Sequence, residues 1–534
     1  MIYNPLEEYD SQFKNLHAEK TRAFFDSLVA RSGVDIEANR KTVKEHADLQ
    51  ATLKKSRSRL GWLRFLRVLM IITLVLIPLV ILKTTPRIRA LRVEIAEGER
   101  KSEELLALAR EQMAPLNALF SESDALRIIE ETIPDLDFAP CFSAEQEEDM
   151  IRNYDLPDRD DREQSAIEVL AGHYNENPFV FEKKLIHEMG VETYHGYKRI
   201  TWTESYRGSD GKRHTRTRSE TLHATVVKPK PFFRTRDVLT YCAQGGPDLS
   251  FSRDATDLDE KSEREIERYI KKGERKLKKM TDEAIRENRD FVSMSNTDFE
   301  VLFDALDRTD EVQFRTLFTP LAQTNMVDLI RSQSGFGDDF HFIKRKRTNR
   351  ILTKHSQGRE TTLLPTAYHS HAFDAIRDNF IDKNAAYFKA IYFDFAPLLA
   401  IPIYQERPVH SLDPLPDYAQ KYASKECESL ANRALPASVL HPRTKTRAIL
   451  KSAFLGTENE GDRVRINAFS YDIQKRVDIV PVYGGDGRWH NVHVPWDDYL
   501  PLERSTDFLV CPDRGDEGSA PVARRHDLCM FTHK

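Results

Sequence analysis

Two histidines separated by one residue, His369 and His371, have the spacing of a possible metal-ligand pair. On a β-strand, alternate side chains point to the same face, so both imidazoles could bind one ion. Asp338 and Asp339 could add oxygen ligands if the fold brings them close. Two histidines without a third spaced ligand are also common as solvent-exposed polar residues. The sequence therefore leaves a metal site at these four residues open beside the plainer interpretation.

The C-terminal tail has zinc-ligand residue types but an incomplete pattern. His526, Cys529 and His533 follow Cys511, and the paired-cysteine half of a zinc finger is missing. The phosphate loop, the dinucleotide fingerprint and the nucleophile elbow are also absent from the sequence. We therefore predict no catalytic residue and no cofactor, and an enzyme is the less favoured class.

The longest apolar stretch runs from Val68 to Leu82 without a charge, in a chain whose mean hydropathy is −0.56. A membrane-spanning helix needs about 20 residues, and the flanking residues can supply the remainder. Tryptophan suits the interface, and arginine and lysine can reach the headgroups. The sequence thus predicts a transmembrane helix over residues 61–83. Its predicted anchor residues are Trp62, Arg67, Val68, Pro78, Leu82 and Lys83.

Orientation in the membrane is poorly determined. Six basic residues precede the apolar stretch and four follow it, which favours a cytoplasmic N-terminus. The five cysteines are scattered and odd in number, which is typical of thiols in a reducing compartment. These two indications nearly cancel. We therefore expect a single-pass protein of the cell membrane and leave the side of its C-terminal region undetermined.

The regions flanking this stretch are predicted to be helical. Residues 1–60 form a helical N-terminal arm, and residues 84–122 form a helical stalk. Ile88, Leu91 and Ile95 follow a heptad seam that is too short to establish a coiled coil. The alternative for the stalk is a helix that packs on its own domain.

Beyond residue 122 the sequence predicts a large α+β region. A mixed domain over 123–345 contains an antiparallel hairpin at 200–227, where alternation flanks a glycine-rich turn, and a charged helix at 257–288. A second α+β region over 346–534 contains a hairpin at 476–494.

A second apolar run spans Ala390 to Tyr404. It contains Asp394 and two prolines, which are costly in lipid. We therefore expect a buried core strand or loop there, and a membrane segment is the minor alternative.

Charge gives no global preference for nucleic acid. The chain has 80 basic and 85 acidic residues, and its net charge is −5. Basic runs at 271–279 and 345–350 could contact phosphates or anionic lipid. The first run alternates with glutamates, so a solvated helix face is the default interpretation. No specific nucleic acid is predicted as a partner.

Several segments resemble a family of uncharacterised bacterial membrane proteins. The similarity covers most of the chain and is found in the stretches Asn296–Phe303, Ala305–Met326, Tyr194–Gly196, Trp202–Glu204, Gly337–Arg345, Gln405–His410 and Gly484–Gly487. This resemblance implies one N-terminal transmembrane helix and a large soluble α+β region. It implies no activity, and therefore no catalytic residues.

Three functional hypotheses follow. The leading one is a non-enzymatic, membrane-anchored scaffold that engages protein partners or forms a homo-oligomer close to the lipid bilayer. The second is a membrane-tethered, metal-dependent hydrolase that uses His369, His371, Asp338 and Asp339. The third is an envelope sensor that signals through the helical stalk.

Overall fold

The protein divides into two compact units. The computed structural model describes residues 2–72, 85–157, 162–207, 209, 211–287, 294–333, 335–408, 421–434, 436–458, 461–510 and 531–533. The first unit comprises Met1–Leu6, Asp135–Thr361 and Asp394–Lys534, and the second comprises Glu7–Pro134 and Thr362–Phe393. The mixed α+β class expected from the sequence is confirmed. The predicted boundary at 345/346 falls inside a hairpin, because strands on both sides of it pair with each other.

The second unit is helical. Its chain begins in α1 (Pro5–Glu8) and continues through a π-helical turn at Tyr9–Phe13. The longer helices that follow are α2 (Lys14–Ser32), α3 (Ile36–Ile72), α4 (Thr85–Asn117) and α5 (Asp124–Glu130). An aromatic core that includes Phe25, Phe120, Tyr368 and Phe380 fills the unit.

The segment expected as a stalk, 84–122, is largely helix α4, which packs antiparallel on α3. Ile88 and Ile95, two residues of the predicted heptad seam, bury against Leu53 and Leu60. Polar pairs continue the contact, with Gln50 Nε2 donating to Ser102 Oγ at 2.6 Å. Within the described residues the seam therefore serves an intramolecular helix pair, which corresponds to the alternative interpretation of this segment.

The transmembrane helix expected over 61–83 is not supported. No helix in the described part of the chain is long and apolar enough to cross a bilayer. Helix α3 is strongly charged and runs to Ile72, so it includes Trp62, Arg67 and Val68. Pro78, Leu82 and Lys83 lie outside the described residues. The membrane-spanning part of the predicted fold is corrected accordingly.

Within its described residues, the first unit is organised by two antiparallel sheets. One has seven strands in the order β1-β2-β3-β4-β7-β6-β5, and the other has four in the order β11-β10-β9-β8. The strands of the first sheet are β1 (Leu136–Phe138), β2 (Gln164–Tyr174), β3 (Asn177–Arg207), β4 (Arg213–Cys242), β5 (Ser250–Arg253), β6 (Phe340–Arg345) and β7 (Thr348–Thr353). Those of the second are β8 (Ile449–Glu458), β9 (Gly461–Tyr483), β10 (Trp489–Val510) and β11 (Phe531–His533).

Eight further α-helices follow α5 in the described part of the chain. They are α6 (Ala144–Tyr154), α7 (Glu263–Arg286), α8 (Thr297–Phe303), α9 (Glu311–Leu317), α10 (Pro320–Arg331), α11 (Phe373–Leu399), α12 (Ser424–Ala434) and α13 (Pro436–Val439). Helix α11 belongs to the second unit up to Phe393 and to the first from Asp394 onward. The apolar run at Ala390–Tyr404 is thus the buried end of a helix and a 3-10 turn rather than the expected strand or loop.

Both predicted hairpins are parts of much longer ones. The segment 200–227 lies within the β3–β4 pair, whose register runs continuously from Phe179–Tyr241 to Arg207–Arg213. The segment 476–494 lies within the β9–β10 pair. The inner part of the first hairpin is buried on both faces and lacks the alternation that marks its outer part. The inner part of the second hairpin continues the alternation, with Val464, Ile466 and Ala468 buried.

The outer parts of the two hairpins stack face to face, and we call this element the β-arm. It comprises residues 188–207 and 213–234 of β3 and β4, with 471–483 and 489–501 of β9 and β10. A shared apolar layer lies between the ribbons. Its buried members are Ile200, Leu222, Ala224, Val492 and Val494, and Tyr194, Trp202, Val226, Val480 and Val482 pack around them. A lone two-stranded ribbon is marginally stable in water, so each ribbon depends on the other.

Polar contacts fix the position of one ribbon on the other. Lys228 forms an ion pair with Asp478 at 2.7 Å, and its ammonium lies 4.3 Å from the ring centroid of Trp496. At the turn of the second hairpin, the Gly485 N–H donates to Glu220 Oε2 at 2.6 Å. These contacts are directional, whereas the apolar layer alone would allow the ribbons to slide.

Gly196 is the point of closest approach within the β-arm. A Cβ at this position would lie 2.8 Å from Val494 Cγ2 and even closer to the carbonyl oxygen of His493. Nonbonded atoms at these distances from a Cβ would overlap. The backbone oxygen of His493 cannot move aside as the end of a flexible side chain can. Glycine is therefore required here for the two ribbons to meet.

Replacing Gly196 with alanine should weaken the β-arm. We expect Gly196→Ala to destabilise it by about 1–3 kcal/mol, because the added methyl group forces the ribbons apart. Three of the four tryptophans, Trp202, Trp489 and Trp496, lie in the arm, so urea unfolding followed by tryptophan fluorescence measures the effect. Thr193→Ala, on the exposed outer face, is the matched control and should change little. Equal behaviour of both variants would contradict the close packing at Gly196.

Candidate functional site

The two predicted carboxylate ligands have separate protein partners. Asp338 is fully buried and pairs with the guanidinium of Arg253, while the backbone N–H groups of Thr256 and Leu258 donate to its Oδ2. Asp339 accepts two hydrogen bonds from His355, one from the backbone N–H and one from the ring. The adjacent carboxylates are thus held by different parts of the first unit.

The two predicted histidine ligands belong to the second unit. His369 is exposed, with its ring centroid 6.2 Å from that of Phe120. The ring of His371 lies 6.3 Å from that of His46, and burial, together with the nearby charges of His46 and Arg110, lowers the pKa of His371. Asn39 donates to the His371 backbone carbonyl at 3.0 Å. Both histidines therefore have contacts with residues other than the predicted aspartates.

The described residues contain no group of three or more histidine, cysteine, aspartate or glutamate side chains that could hold a metal ion. The tail residues Cys511, His526 and Cys529, and the side chain of His533, lie outside the described residues. The metal site at His369, His371, Asp338 and Asp339 stays a prediction without structural support.

A buried charged network that the sequence did not reveal surrounds His355. The ring of this histidine lies between two carboxylates, with Nδ1 at 2.5 Å from Asp339 Oδ2 and Nε2 at 3.2 Å from Asp394 Oδ1. Arg359 pairs with the other oxygen of Asp394 at 2.6 Å. Thr353 donates to Asp394 at 2.6 Å, and Ser356 also donates to it. We call these six residues the His355 cluster.

The two carboxylates hold His355 in its charged form. Burial alone would lower the pKa of His355, but the hydrogen bonds and charges of Asp339 and Asp394 outweigh it and raise the pKa to about 9. Burial would likewise raise the pKa of Asp394, yet the Arg359 charge and the His355 hydrogen bond hold it well below its usual value. At neutral pH the charged imidazolium of His355 and the guanidinium of Arg359 therefore both contact the ionised carboxylate of Asp394.

This arrangement suits a structural role better than catalysis. A general base needs a free ring nitrogen, whereas both nitrogens of His355 face carboxylates as donors. The cavity beside the cluster, lined by Ser356, Arg359 and Asp394, has a volume of about 20 Å³. That is room for about one water molecule. The cluster thus ties the segment after β7 to Asp394.

A buried lysine is the second unusual titratable group of the first unit. Lys344 is fully buried; its Nζ donates to the Gly245 carbonyl at 2.8 Å and lies 5.3 Å from the ring centroid of Tyr404. Burial lowers its pKa to about 7, which is the range of nucleophilic lysines. The neighbouring cavity of about 320 Å³ is lined by Gly245, Gly246 and Ile403, and Lys344 is not among its lining residues. A hydrolase therefore gains no specific support from this lysine.

The β-arm exposes apolar side chains on the outer faces of both hairpins. On the outer face of the second hairpin, Val477, Ile479, Tyr483 and Trp489 are exposed, Trp489 at 70%. On the outer face of the first, Met189, Val191, Tyr197 and Val227 are exposed, Val191 at 67%. Contiguous apolar patches on a protein surface commonly mark interaction sites.

Comparisons with known proteins do not identify the chain: no protein-family model, curated protein or solved structure matches it. The resemblance to a family of bacterial membrane proteins with one N-terminal transmembrane helix is therefore wrong. It is overturned by the lack of any family match and by the lack of a membrane-spanning helix in the described residues.

The charge of His355 predicts a pH-dependent stability. Because its folded pKa of about 9 exceeds the unfolded value of 6.5, the stabilisation is fully present below pH 6.5 and is lost as the pH rises through about 9. Its size is at most roughly 3 kcal/mol. We expect the unfolding free energy of the wild type to fall over this range relative to His355→Gln.

The matched control is His341→Gln. His341 lies on β6 and pairs with Asp254 at 2.9 Å, but both side chains are solvent-exposed. Removing an exposed pair changes stability by less than about 1 kcal/mol. Urea unfolding at pH values from 6 to 10 gives the unfolding free energies of the wild type, His355→Gln and His341→Gln. Parallel pH profiles for the wild type and His355→Gln would show that the cluster does not hold a charged imidazole.

Proposed function

We propose that the protein is a non-enzymatic interaction protein that assembles with a second copy of itself through the β-arm. The observation that carries this proposal is the free edge of β3. Among the described strands, β3 pairs with β2 only as far as Ile186. From Glu188 outward, its one partner is β4.

Prolines distinguish the β3 edge from the other long edges of the arm. Pro229 and Pro231 lie on β4, Pro481 on β9, and Pro495 and Pro501 on β10, whereas residues 188–207 of β3 contain no proline. Proline lacks an N–H group and is a common protection of sheet edges against pairing. Prolines therefore interrupt the edges of β4, β9 and β10, although residues 213–228 of β4 also contain none. The β3 edge has no such interruption from Glu188 to Arg207 and can accept another strand.

The same prolines establish which β3 groups face outward. Val191 is opposite Pro229, and Met189 is opposite Pro231. A proline can occupy an antiparallel ladder only where no N–H is needed, so these are non-hydrogen-bonded pairs. In such pairs the backbone groups of both residues point away from each other. The N–H and C=O groups of Val191 and of the alternate residues beyond it therefore face the free edge of β3.

The β3 strand of a second copy can supply hydrogen-bond partners for these outward-facing N–H and C=O groups through a symmetric contact. Antiparallel pairing of β3 with the β3 of a partner joins two ribbons into a four-stranded sheet, and the same groups are used on both sides. We assign the pairing segment to Glu188–Trp202, which leaves the outermost turn of the hairpin free. Exposed apolar side chains of the outer face, such as Val191 and Tyr197, then gain neighbours across the new pair.

Self-assembly through the arm needs no lipid bilayer. The cell-membrane location and the lipid partner expected from the sequence stay predictions. Among the three functional hypotheses, an interaction protein is the one that a described surface favours.

A proline in the β3 edge should prevent assembly. Val191→Pro removes an outward-facing donor while leaving the β3–β4 ladder bonds intact, so we expect a monomer where the wild type forms a concentration-dependent dimer. Analytical ultracentrifugation of the full chain measures this. Val191→Thr keeps the N–H group and the branched shape, and it should still dimerise. Circular dichroism checks that the variants retain their strand content.

Two results would overturn the proposal. One is a wild-type protein that remains monomeric at all concentrations tested. The other is a dimer that Val191→Pro leaves unchanged.

A further inference from the structure

The outermost part of the first hairpin differs in chemistry from the rest of the β-arm. We define the tip as residues 203–207 and 211–217. The second hairpin ends beside Trp202 and Glu220, where Gly485 contacts both side chains. Beyond that level, within the described residues, the first hairpin continues as a ribbon of two strands. All of residues 211–217, and all of 203–207 except the half-buried Glu204, are exposed.

The tip is basic in a chain that is acidic overall. Between Thr203 and Thr217 the sequence has four basic residues, Arg207, Lys212, Arg213 and Arg216, against Glu204 and Asp210, while the net charge of the whole chain is −5. Glu204 is already paired with Arg218 at 2.7 Å. Arg213 donates to the hydroxyl of Ser205 at 3.0 Å, and Arg207 to the carbonyl of Gly211 at 3.3 Å. Both of these acceptors are neutral groups, so these two hydrogen bonds do not neutralise the guanidinium charges.

Four hydroxyl groups share one face of the tip with Arg207 and Arg213, whereas Arg216, which is opposite Glu204, lies on the other face. Ser205 is opposite Thr215, and Thr203 is opposite Thr217, so four hydroxyls form a compact array. Arg207 and Arg213 face each other at the end of the same array. Guanidinium and hydroxyl groups are the side chains that most often contact phosphate oxygens, and serine and threonine can also contact any base edge.

We propose that the tip binds double-stranded DNA by entering its major groove, with the arginines contacting the flanking phosphates. The major groove of B-DNA is about 12 Å wide and admits a two-stranded β-ribbon. The small hydroxyl array allows close approach to the groove floor, and it favours binding with little sequence preference. This site lies beyond the β3 segment Glu188–Trp202, so it is separate from self-assembly.

An anionic membrane fits the tip less well. Apart from Tyr206, residues 203–207 and 211–217 contain no phenylalanine, tyrosine or tryptophan, and they contain no leucine, isoleucine, valine or methionine. Stable binding to a bilayer surface needs apolar side chains that enter the lipid in addition to basic charge. The tip supplies the charge and the hydrogen-bond donors without that apolar surface.

The test compares four probes with the full chain: a DNA duplex of about 20 base pairs, an RNA duplex of the same length, a single DNA strand, and vesicles of phosphatidylserine and phosphatidylcholine. Fluorescence anisotropy, or sedimentation for the vesicles, gives the affinity from about 50 to about 200 mM salt. We expect the DNA duplex to bind most tightly. The RNA duplex should bind more weakly, because its major groove is too narrow for the ribbon.

Variants that remove charge from the tip test which residues bind the duplex. Arg213→Ala with Arg216→Ala should weaken duplex binding about tenfold or more and reduce the slope of log affinity against log salt by about two. The matched control is Lys271→Ala with Lys278→Ala, which removes two exposed charges from the basic run of α7 and should have no effect.

Three outcomes would overturn the proposal. They are no salt-dependent binding of the duplex, equal loss of binding in the control variant, or tighter binding of vesicles, single strands or RNA than of DNA. Val191→Pro separates this proposal from self-assembly. This variant should be monomeric, but its tip is unchanged, so it should still bind the duplex.

Discussion

The close contact of two β-hairpins at Gly196 is the constraint on which the functional surface depends. Each ribbon alone buries too little to be stable, and a side chain at position 196 would keep them apart. Once stacked, the ribbons hide their inner faces and expose their outer faces and edges. The apolar outer faces, the free β3 edge and the basic tip are all consequences of that single packing arrangement.

The sequence predicted the existence of both hairpins but little of their extent or their association. The sequence contains two local signals, the alternation from Ile200 to Tyr206 and the glycine-rich turn at 484–487. Strands form where these signals predict them. The inner part of the first hairpin, such as Phe179–Phe181, is buried on both faces and lacks alternation. The contact of Gly196 with the strand at His493 joins segments about 300 residues apart, and no local pattern encodes it.

The candidate sites also show which features local sequence patterns reveal and which they do not. Histidine spacing at His369 and His371 suggested a metal site, yet the described structure supplies no third ligand. The His355 cluster joins residues from three separate segments, so its members look unrelated in the sequence. One signal was present: Asp394 interrupts an apolar run, and a buried carboxylate requires a partner. That requirement is met by His355 and Arg359, and the result is a buried clamp with no free base. The buried His355 cluster therefore suits a role in stability, whereas the exposed surface of the β-arm suits a role in interaction.

Hydrogen exchange along the β-arm tests self-assembly most directly. The outward-facing amides of β3 between Met189 and Thr201 should exchange more slowly as protein concentration rises, because a second copy covers them. Amides on the free edge of β4, between Thr221 and Thr225, should show no such dependence. Exchange at β3 that is independent of concentration, or equal slowing at both edges, would contradict assembly through β3.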